Sequence, residues 1–291
     1  MAASAIGLLR PRRRSPKNVR RSCKIRGNFY RIYKQPNSDN GVDSLTIPVK
    51  YTREELLICA IARMLDGCKN IAVGASSPIP GCAALLAQAV TNGGTRASIL
   101  GSNKHNPFND GGPELFDRAG QGRVDAFFLS GGQIDGEGNI NLVSAGPYPK
   151  PDTRFPGSFG SSYLYFSVPR VILFREEHSR RVFVEKVDFI SAPGWSPPEV
   201  HRPGGPYALI TSLCVFMYNR ERHRFRLEGL LPGVSLEEVQ DNTGFDFDHS
   251  ENIKPVPPPE PDRVKLLHTA IAAEISETYP KFAQERLGYN D

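Results

Sequence analysis

From Thr52 onward the chain alternates two hydrophobic periods, and that alternation restricts the fold more than any other feature of the sequence. Thr52-Arg53-Glu54-Glu55 begins with a capping residue and places a Glu three positions later, the pattern of a capping box. Leu56, Leu57, Ala60, Ile61 and Met64 then recur at helical spacing, and Gly67 supplies a stop. A short apolar run follows at Asn70–Val73, then a turn of small residues, Gly74–Pro80, then a second helix over Cys82–Val90. Ala97–Leu100, Val124–Leu129 and Arg170–Phe174 are further short apolar runs, with a helix expected over Pro113–Ala119. Strands alternating with helices predict an α/β fold whose open, mostly parallel sheet is covered by helices. Val182–Val184, Val187–Ile190, Ala208–Thr211, Cys214–Tyr218 and Arg224–Glu228 read as short strands that give the sheet a mixed or antiparallel extension. Pro255–Pro261 reads as a stiff linker, and Asp262–Leu287 as helical with a break at Pro280.

Charge divides the chain more sharply than its net value suggests. Met1–Ser38 holds eleven Lys and Arg and no acid, whereas the remainder has 25 basic and 31 acidic residues. An acidic body argues against a nucleic-acid-binding domain, which carries its positive charge on the folded surface. Three readings of the basic segment stay open: an organelle transit peptide, a basic arm, or a translated stretch upstream of the working start. The expected division is a basic disordered extension over 1–48, a main domain over 49–271, and a helical tail over 272–291. No apolar run approaches the ~18 residues that span a bilayer, so no membrane partner is expected. The five cysteines, Cys23, Cys59, Cys68, Cys82 and Cys214, form no CxxC pair and lie beside no His at ligand spacing. They fit a reducing compartment and predict no metal site. The expected location is the cytoplasm, or an organelle matrix if the basic segment is a transit peptide.

The stretch densest in potential chemistry is Leu129–Leu142 (LSGGQIDGEGNINL), which follows an expected core strand. Ligands bind at strand ends in open α/β sheets. Gly131, Gly132 and Gly138 would let backbone approach a ligand, while Gln133, Asp135, Asn139 and Asn141 offer donors and acceptors. An ordinary glycine-rich turn held by Asx hydrogen bonds has the same composition.

This stretch resembles the GGAQIDxxGNxN signature of class I CoA-transferase beta subunits, such as that of glutaconate CoA-transferase. Phe155–Ser158 (FPGS) is similar to a following family segment, and Arg181–Gly194 (RVFVEKVDFISAPG) to its RRFVEKVDFITSPG segment. Gly204–Pro206, Pro232-Gly233 and Asn242–Asp246 resemble later landmarks, so the likeness runs from about Tyr51 to Ile271. It implies the family's α/β fold, an alpha-type partner subunit, and CoA-thioester chemistry with acyl-CoA as substrate and no permanently bound cofactor. It also implies that Gln133, Asp135, Asn139 and Asn141, with Gly131, Gly132 and Gly138, surround the CoA or acyl site, or pin the loop that forms it.

Gly74, Ala75, Ser76 and Ser77 stand where the family has a GxGxP turn, whose backbone N–H groups stabilise the thioester oxyanion. A tight turn entering a helix does aim unpaired N–H groups at one spot, although it can equally be a plain cap with Ser77 as the capping residue. Gly101, in Ile99–Asn103 (ILGSN), stands where the resemblance places the nucleophilic Glu. No acid occurs between Asp66 and Asp110 to replace it. His105 is a candidate base, and Asp110 and Glu114 are the next carboxylates in sequence. The Arg175–Arg181 cluster can serve CoA phosphates or form a solvated turn, and Trp195 suits packing or an interface. Three functions follow: CoA transfer, hydrolysis or C–C cleavage of an acyl-CoA using a partner-subunit carboxylate, and an inactive scaffold subunit.

Overall fold

A computed structural model gives the structure of residues 50–290, and the extension expected over 1–48 lies outside the described residues. The capping box forms as its sequence predicts. Thr52 Oγ1 accepts from Glu55 N at 3.2 Å and Glu55 Oε2 accepts from Thr52 N at 2.8 Å, starting α1 (Arg53–Met64). β1 (Asn70–Val73) leads through the small-residue turn into α2 (Pro78–Val90). That helix starts earlier than the expected Cys82, because Pro78 fits the first helical position, where no N–H is needed. β2 (Arg96–Ile99), α3 (Gly112–Gly120) and β3 (Ala126–Leu129) follow. Four two-residue strands, β4 (Gln133–Ile134), β5 (Ile140–Asn141), β6 (Ser144–Ala145) and β7 (Thr153–Arg154), form two small ribbons. After α4 (Ser161–Ser167) the chain returns to the main sheet with β8 (Arg170–Arg175), β9 (Pro206–Thr211), β10 (Cys214–Asn219) and β11 (Arg224–Leu230). α5 (Leu236–Asn242) and β12 (Asp248–Pro255) complete the extension.

The main sheet has eight strands in the order β12-β11-β10-β9-β8-β3-β1-β2. β2, β1, β3, β8 and β9 are mutually parallel; β10 and β11 run antiparallel, and β12 lies parallel to β11. The expected parallel sheet with a mixed extension is therefore present. Alternate strand residues feed two separate cores. Ile71, Val73, Phe128, Ile172 and Ile210 pack with α1 and α2, whereas Ala72, Phe127, Val171, Leu173 and Leu209 face the opposite layer. Burial on both faces is why these strands read as continuous apolar runs.

Val182–Val184 and Val187–Ile190 are not strands of the sheet. Their segment bonds instead to the β4–β5 ribbon, through bridges Ile134↔Phe183 and Ile140↔Ala192. Pro255–Pro261 lies against α1, where the buried Arg63 guanidinium donates to Pro257 O and Glu260. α6 (Pro261–Leu266) continues through a π-helical turn, Leu267–Ile271, into α7 (Ala272–Ser276), and α8 (Pro280–Leu287) follows. Ala272, Ile275, Ala283 and Leu287 are fully buried in the same core as α1 and α2. The helices set apart in sequence as a tail thus cover one face of the sheet. Among the described residues no helix is long and apolar enough to cross a membrane.

Candidate active site

β1, β3 and β8 end on one edge of the parallel sheet, and a cavity of about 510 Å³ opens beyond that edge. Gly74–Ser77 after β1, Leu129 and Ser130 at the end of β3, Leu100 after β2 and Phe174 in β8 line it. Phe116 of α3 and Phe159 before α4 form part of its apolar wall, their rings 5.4 Å apart. Phe159 is 89% exposed, so this wall is open on the isolated chain. A second cavity of about 470 Å³ shares Ser76, Ser77 and Ser130 and adds Arg175, Glu176 and Glu177. The Gly74–Ser77 turn therefore stands between an apolar lobe and a charged one.

The turn has the geometry of an anion cradle. Ser76 adopts φ +56°, a left-handed conformation that costs an L residue roughly 1–2 kcal/mol. The expected glycine of a GxGxP turn would adopt it freely, so Ser76 keeps the backbone path at a cost in strain. Ser77 occupies the N-cap position of α2, but its hydroxyl donates to Ala75 O at 3.2 Å and does not cap the helix. Its N–H donates to the Tyr279 hydroxyl at 3.2 Å. The N–H groups of Ala75 and Ser76 have no acceptor among the described residues.

Gly101 lies outside the lining of both lobes, in the turn Ile99–Ser102, which is closed by Ser102 N donating to Ile99 O at 3.2 Å and joined to the base of the cradle by Leu100 N donating to Val73 O at 3.0 Å. Its φ of +90° is what the third position of a type II turn demands and what glycine supplies without strain. His105 is outside the lining of both lobes. Its Nε2 meets Glu274 Oε2 at 2.7 Å and its backbone N–H donates to Ser102 Oγ at 2.8 Å. Ser102 Oγ and Asn103 N in turn donate to Glu277 at 2.8 and 2.7 Å. Burial pushes the Glu277 carboxyl up, but the hydrogen bonds from Thr278, Asn103 and Ser102 outweigh it and hold the group down at about 2. Glu114 is held below the usual carboxylate range by Arg118, one helical turn on.

The Leu129–Leu142 polar residues face inward. Gln133 Nε2 donates to Asp188 at 2.9 Å, and Asn141 Nδ2 donates to Gln133 Oε1 at 2.7 Å. Asp135 accepts from Asn139 N and Asn139 Nδ2, both at 3.0 Å, and Asn139 Oδ1 accepts from Gly194 N at 3.1 Å. Burial pushes the Asp135 carboxyl up, against the lowering effect of those bonds. Gly131 is closed in by Gln133 O and the Ile140 side chain, and Gly132 by the Phe155 ring. Gly138 needs its φ of +77° and has Pro206 and Tyr218 within 3.2 Å of any added Cβ. None of these residues lines either lobe; Leu129, Ser130 and Leu142 do. The segments that carry the sequence resemblance are one unit in space. Phe155 N donates to Val143 O, Ala192 N to Ile140 O, and Gly244 N to Phe183 O.

The Arg175–Arg181 cluster is a local network. Glu177 accepts from Ser179, Arg181 and Arg175, and the three hold its carboxyl down to about 2. Glu176 has no side-chain partner among the described residues and faces the charged lobe. Trp195 stacks on His223 at 4.6 Å and donates to Glu137. Three residues that contact the site loops, Glu274, Glu277 and Tyr279, were not among the sequence candidates. No local pattern marks them, because their partners lie 169 to 202 residues away.

The coenzyme A transferase family model matches residues 55–242. The B-type subunit of 3-oxoadipate CoA-transferase from Pseudomonas knackmussii is 35% identical over 161 residues, covering 52% of this chain and 62% of the relative. The B-type subunit of glutaconate CoA-transferase from Acidaminococcus fermentans is 34% identical over 151 residues, covering 50% and 56%. The chain thus spans about three-fifths of the length of these two curated relatives. The cholesterol ring-cleaving hydrolase IpdB subunit of Rhodococcus jostii is 28% identical over 217 residues, covering 67% and 82%. Among solved structures, the decarboxylase AibA/AibB superposes with a TM-score of 0.66 at 26% identity, covering 82% of this chain and 100% of that chain. Glutaconate coenzyme A-transferase from Acidaminococcus fermentans shares the fold, with a TM-score of 0.67 at 24% identity over 83% and 99% of the two chains.

Proposed function

The chain belongs to the coenzyme A transferase family, and from that premise we propose that it is the beta-type subunit of an enzyme that acts on acyl-CoA thioesters together with an alpha-type subunit. The observation that carries this reading is the strained Gly74–Ser77 turn, whose Ala75 and Ser76 N–H groups are unspent at the mouth of an apolar cavity. A thioester oxygen placed there gains charge as its carbonyl is attacked. Each well-aimed donor is worth about 2.7–4 kcal/mol to such an oxyanion. The 510 Å³ lobe has the size of a small-ligand site and suits an acyl group. The exposed Phe159 at its wall suits burial by a partner. Gln133, Asp135, Asn139 and Asn141 then support CoA binding from behind, by fixing the ribbon next to the cavity. The chemistry needs no resident cofactor, and the cytoplasm is the proposed location.

CoA transfer is the reading the relatives' names favour. Gly101 favours a second one, hydrolysis of the thioester or of a carbon–carbon bond in a cyclic acyl-CoA. No carboxylate on the Ile99–Ser102 turn can carry CoA covalently, so water is the attacking group and the partner chain supplies the base. The ring-cleaving relative is consistent with that course. An assay of the alpha–beta complex against a panel of acyl-CoAs, following both CoA thiol and acid products with and without an acceptor acid, tests the proposal. Turnover of at least one thioester is expected; no turnover and no acyl-CoA binding across the panel would refute it.

A further inference from the structure

We infer that the segment from Glu274 to Tyr279 is part of the active-site frame, with Tyr279 and Glu277 as positioning residues for the two loops that flank the cavity. This rests on the thioester reading above. The two loops come from the first part of the fold, at Gly74–Ser77 and Ile99–His105, and meet only at their bases, where Leu100 N donates to Val73 O at 3.0 Å. Farther out, both are tied to the same short stretch near the C-terminus. Tyr279 holds Ser77 N at 3.2 Å; Glu277 holds Ser102 Oγ at 2.8 Å and Asn103 N at 2.7 Å; Glu274 holds His105 at 2.7 Å.

The docking beneath these bonds is close. Ile275 is fully buried, and a Cβ added to Gly81, in the first turns of α2, would meet its Cδ1 at 3.1 Å and the Tyr279 ring at 3.9 Å. At Gly81, α2 therefore meets Ile275 and Tyr279 without an intervening side chain.

The bonds also select. By occupying the Ser77 amide, Tyr279 leaves the Ala75 and Ser76 amides as the donors available to a ligand, and it fixes the direction in which they point. Glu277 spans a side-chain hydroxyl and a backbone amide of the turn that follows Gly101, so it fixes that turn beyond the point where Leu100 N anchors it to Val73 O. Ordinary helix docking requires burial of Ile275 and Leu287, but it does not require a carboxylate on Asn103 N or a phenol on Ser77 N.

The test uses the alpha–beta complex carrying Tyr279→Phe or Glu277→Gln, with Lys281→Ala, 84% exposed on the neighbouring helix, as the control. Steady-state turnover of acyl-CoA is read together with amide hydrogen exchange at Ser77 and Asn103. Misplacement of catalytic donors by a fraction of an ångström is expected to lower kcat by about 10- to 100-fold with KM within about 2-fold. Exchange should rise at Ser77 in Tyr279→Phe and at Asn103 in Glu277→Gln, while Lys281→Ala matches wild type throughout. Wild-type kcat with unchanged exchange in both variants would overturn the inference. So would a loss of kcat that merely follows a fall in melting temperature. If the wild-type complex turns over no acyl-CoA, the thioester reading fails, and the exchange data alone decide whether the two loops are held from Tyr279 and Glu277.

Discussion

The hydroxyl of Tyr279 accepts a hydrogen bond from the backbone N–H of Ser77 at 3.2 Å, joining residues 202 positions apart. This contact links the last helices to the turn after the first strand. The turn is thereby built from three sources: the apolar β1 that delivers it, the helix α2 that it enters, and a C-terminal side chain that holds it.

Ser76 is the strained member of that turn, so its replacement separates strain from function. Ser76→Gly should keep turnover and gain up to about 1 kcal/mol in stability, the left-handed penalty of about 1–2 kcal/mol being partly offset by glycine's extra unfolded-state entropy. Ser76→Val should lose both. Chemical denaturation and acyl-CoA turnover of the two variants would check this.

Gly101→Glu restores a carboxylate where the resemblance expects one. The side chain has open space, since no atom lies within 4 Å of an added Cβ. The φ of +90° nevertheless makes the substitution strained, by roughly 1–2 kcal/mol. The expected outcome is a lower melting temperature together with a hydroxylamine-sensitive CoA adduct that the wild-type chain does not form, as seen by intact-mass measurement after incubation with acyl-CoA.

Asn139 and Gln133 are tied into buried networks, and truncating either leaves partners unpaired. Asn139→Ala strands the Gly194 N–H and one side of Asp135, at an expected cost of about 1–3 kcal/mol. Gln133→Ala likewise strands Asp188 and Asn141. Activity of the complex should fall with the ordering of the β4–β5 ribbon, which hydrogen exchange over residues 131–141 reads directly.

His178 predicts a pH dependence of stability. It is buried, with its ring nitrogens 2.8 Å from Thr211 Oγ1 and 2.9 Å from Thr243 Oγ1, and burial holds its pKa down to about 4. The unfolded state therefore takes up this proton first as pH falls. The contribution is complete above the ordinary value of about 6.5 and is lost as pH falls toward 4, on the order of 3 kcal/mol in all. Urea midpoints between those pH values should show the loss in wild type and a flatter course in His178→Asn.

Much of the frame is legible in the sequence, for identifiable reasons. Asn70–Val73 and Arg170–Phe174 announce themselves because strands buried on both faces must be apolar throughout. Thr52 and Glu55 mark the start of α1 by a reciprocal bond that needs only local spacing. Val182–Ile190 has strand-forming residues but spends its backbone on a two-residue ribbon, which local composition cannot indicate. At the site, the Gly74–Ser77 turn is visible from its small residues between strand and helix. The partners Glu277 and Tyr279 are not, because nothing in their own neighbourhood reflects loops that fold next to them from the other end of the chain.

With no carboxylate at Gly101, the oxyanion held by this chain's turn forms by attack of water on the acyl-CoA, the course that separates hydrolysis from the CoA transfer suggested by the relatives' names. Turnover by the alpha–beta complex in ¹⁸O-labelled water, with an isotopically distinct free acid present, tests it most directly. The predicted result is ¹⁸O in the carboxylate of the product and no transfer of CoA to the labelled acid. Transfer of CoA to that acid without ¹⁸O in the product, together with a hydroxylamine-sensitive adduct on this chain, would contradict it.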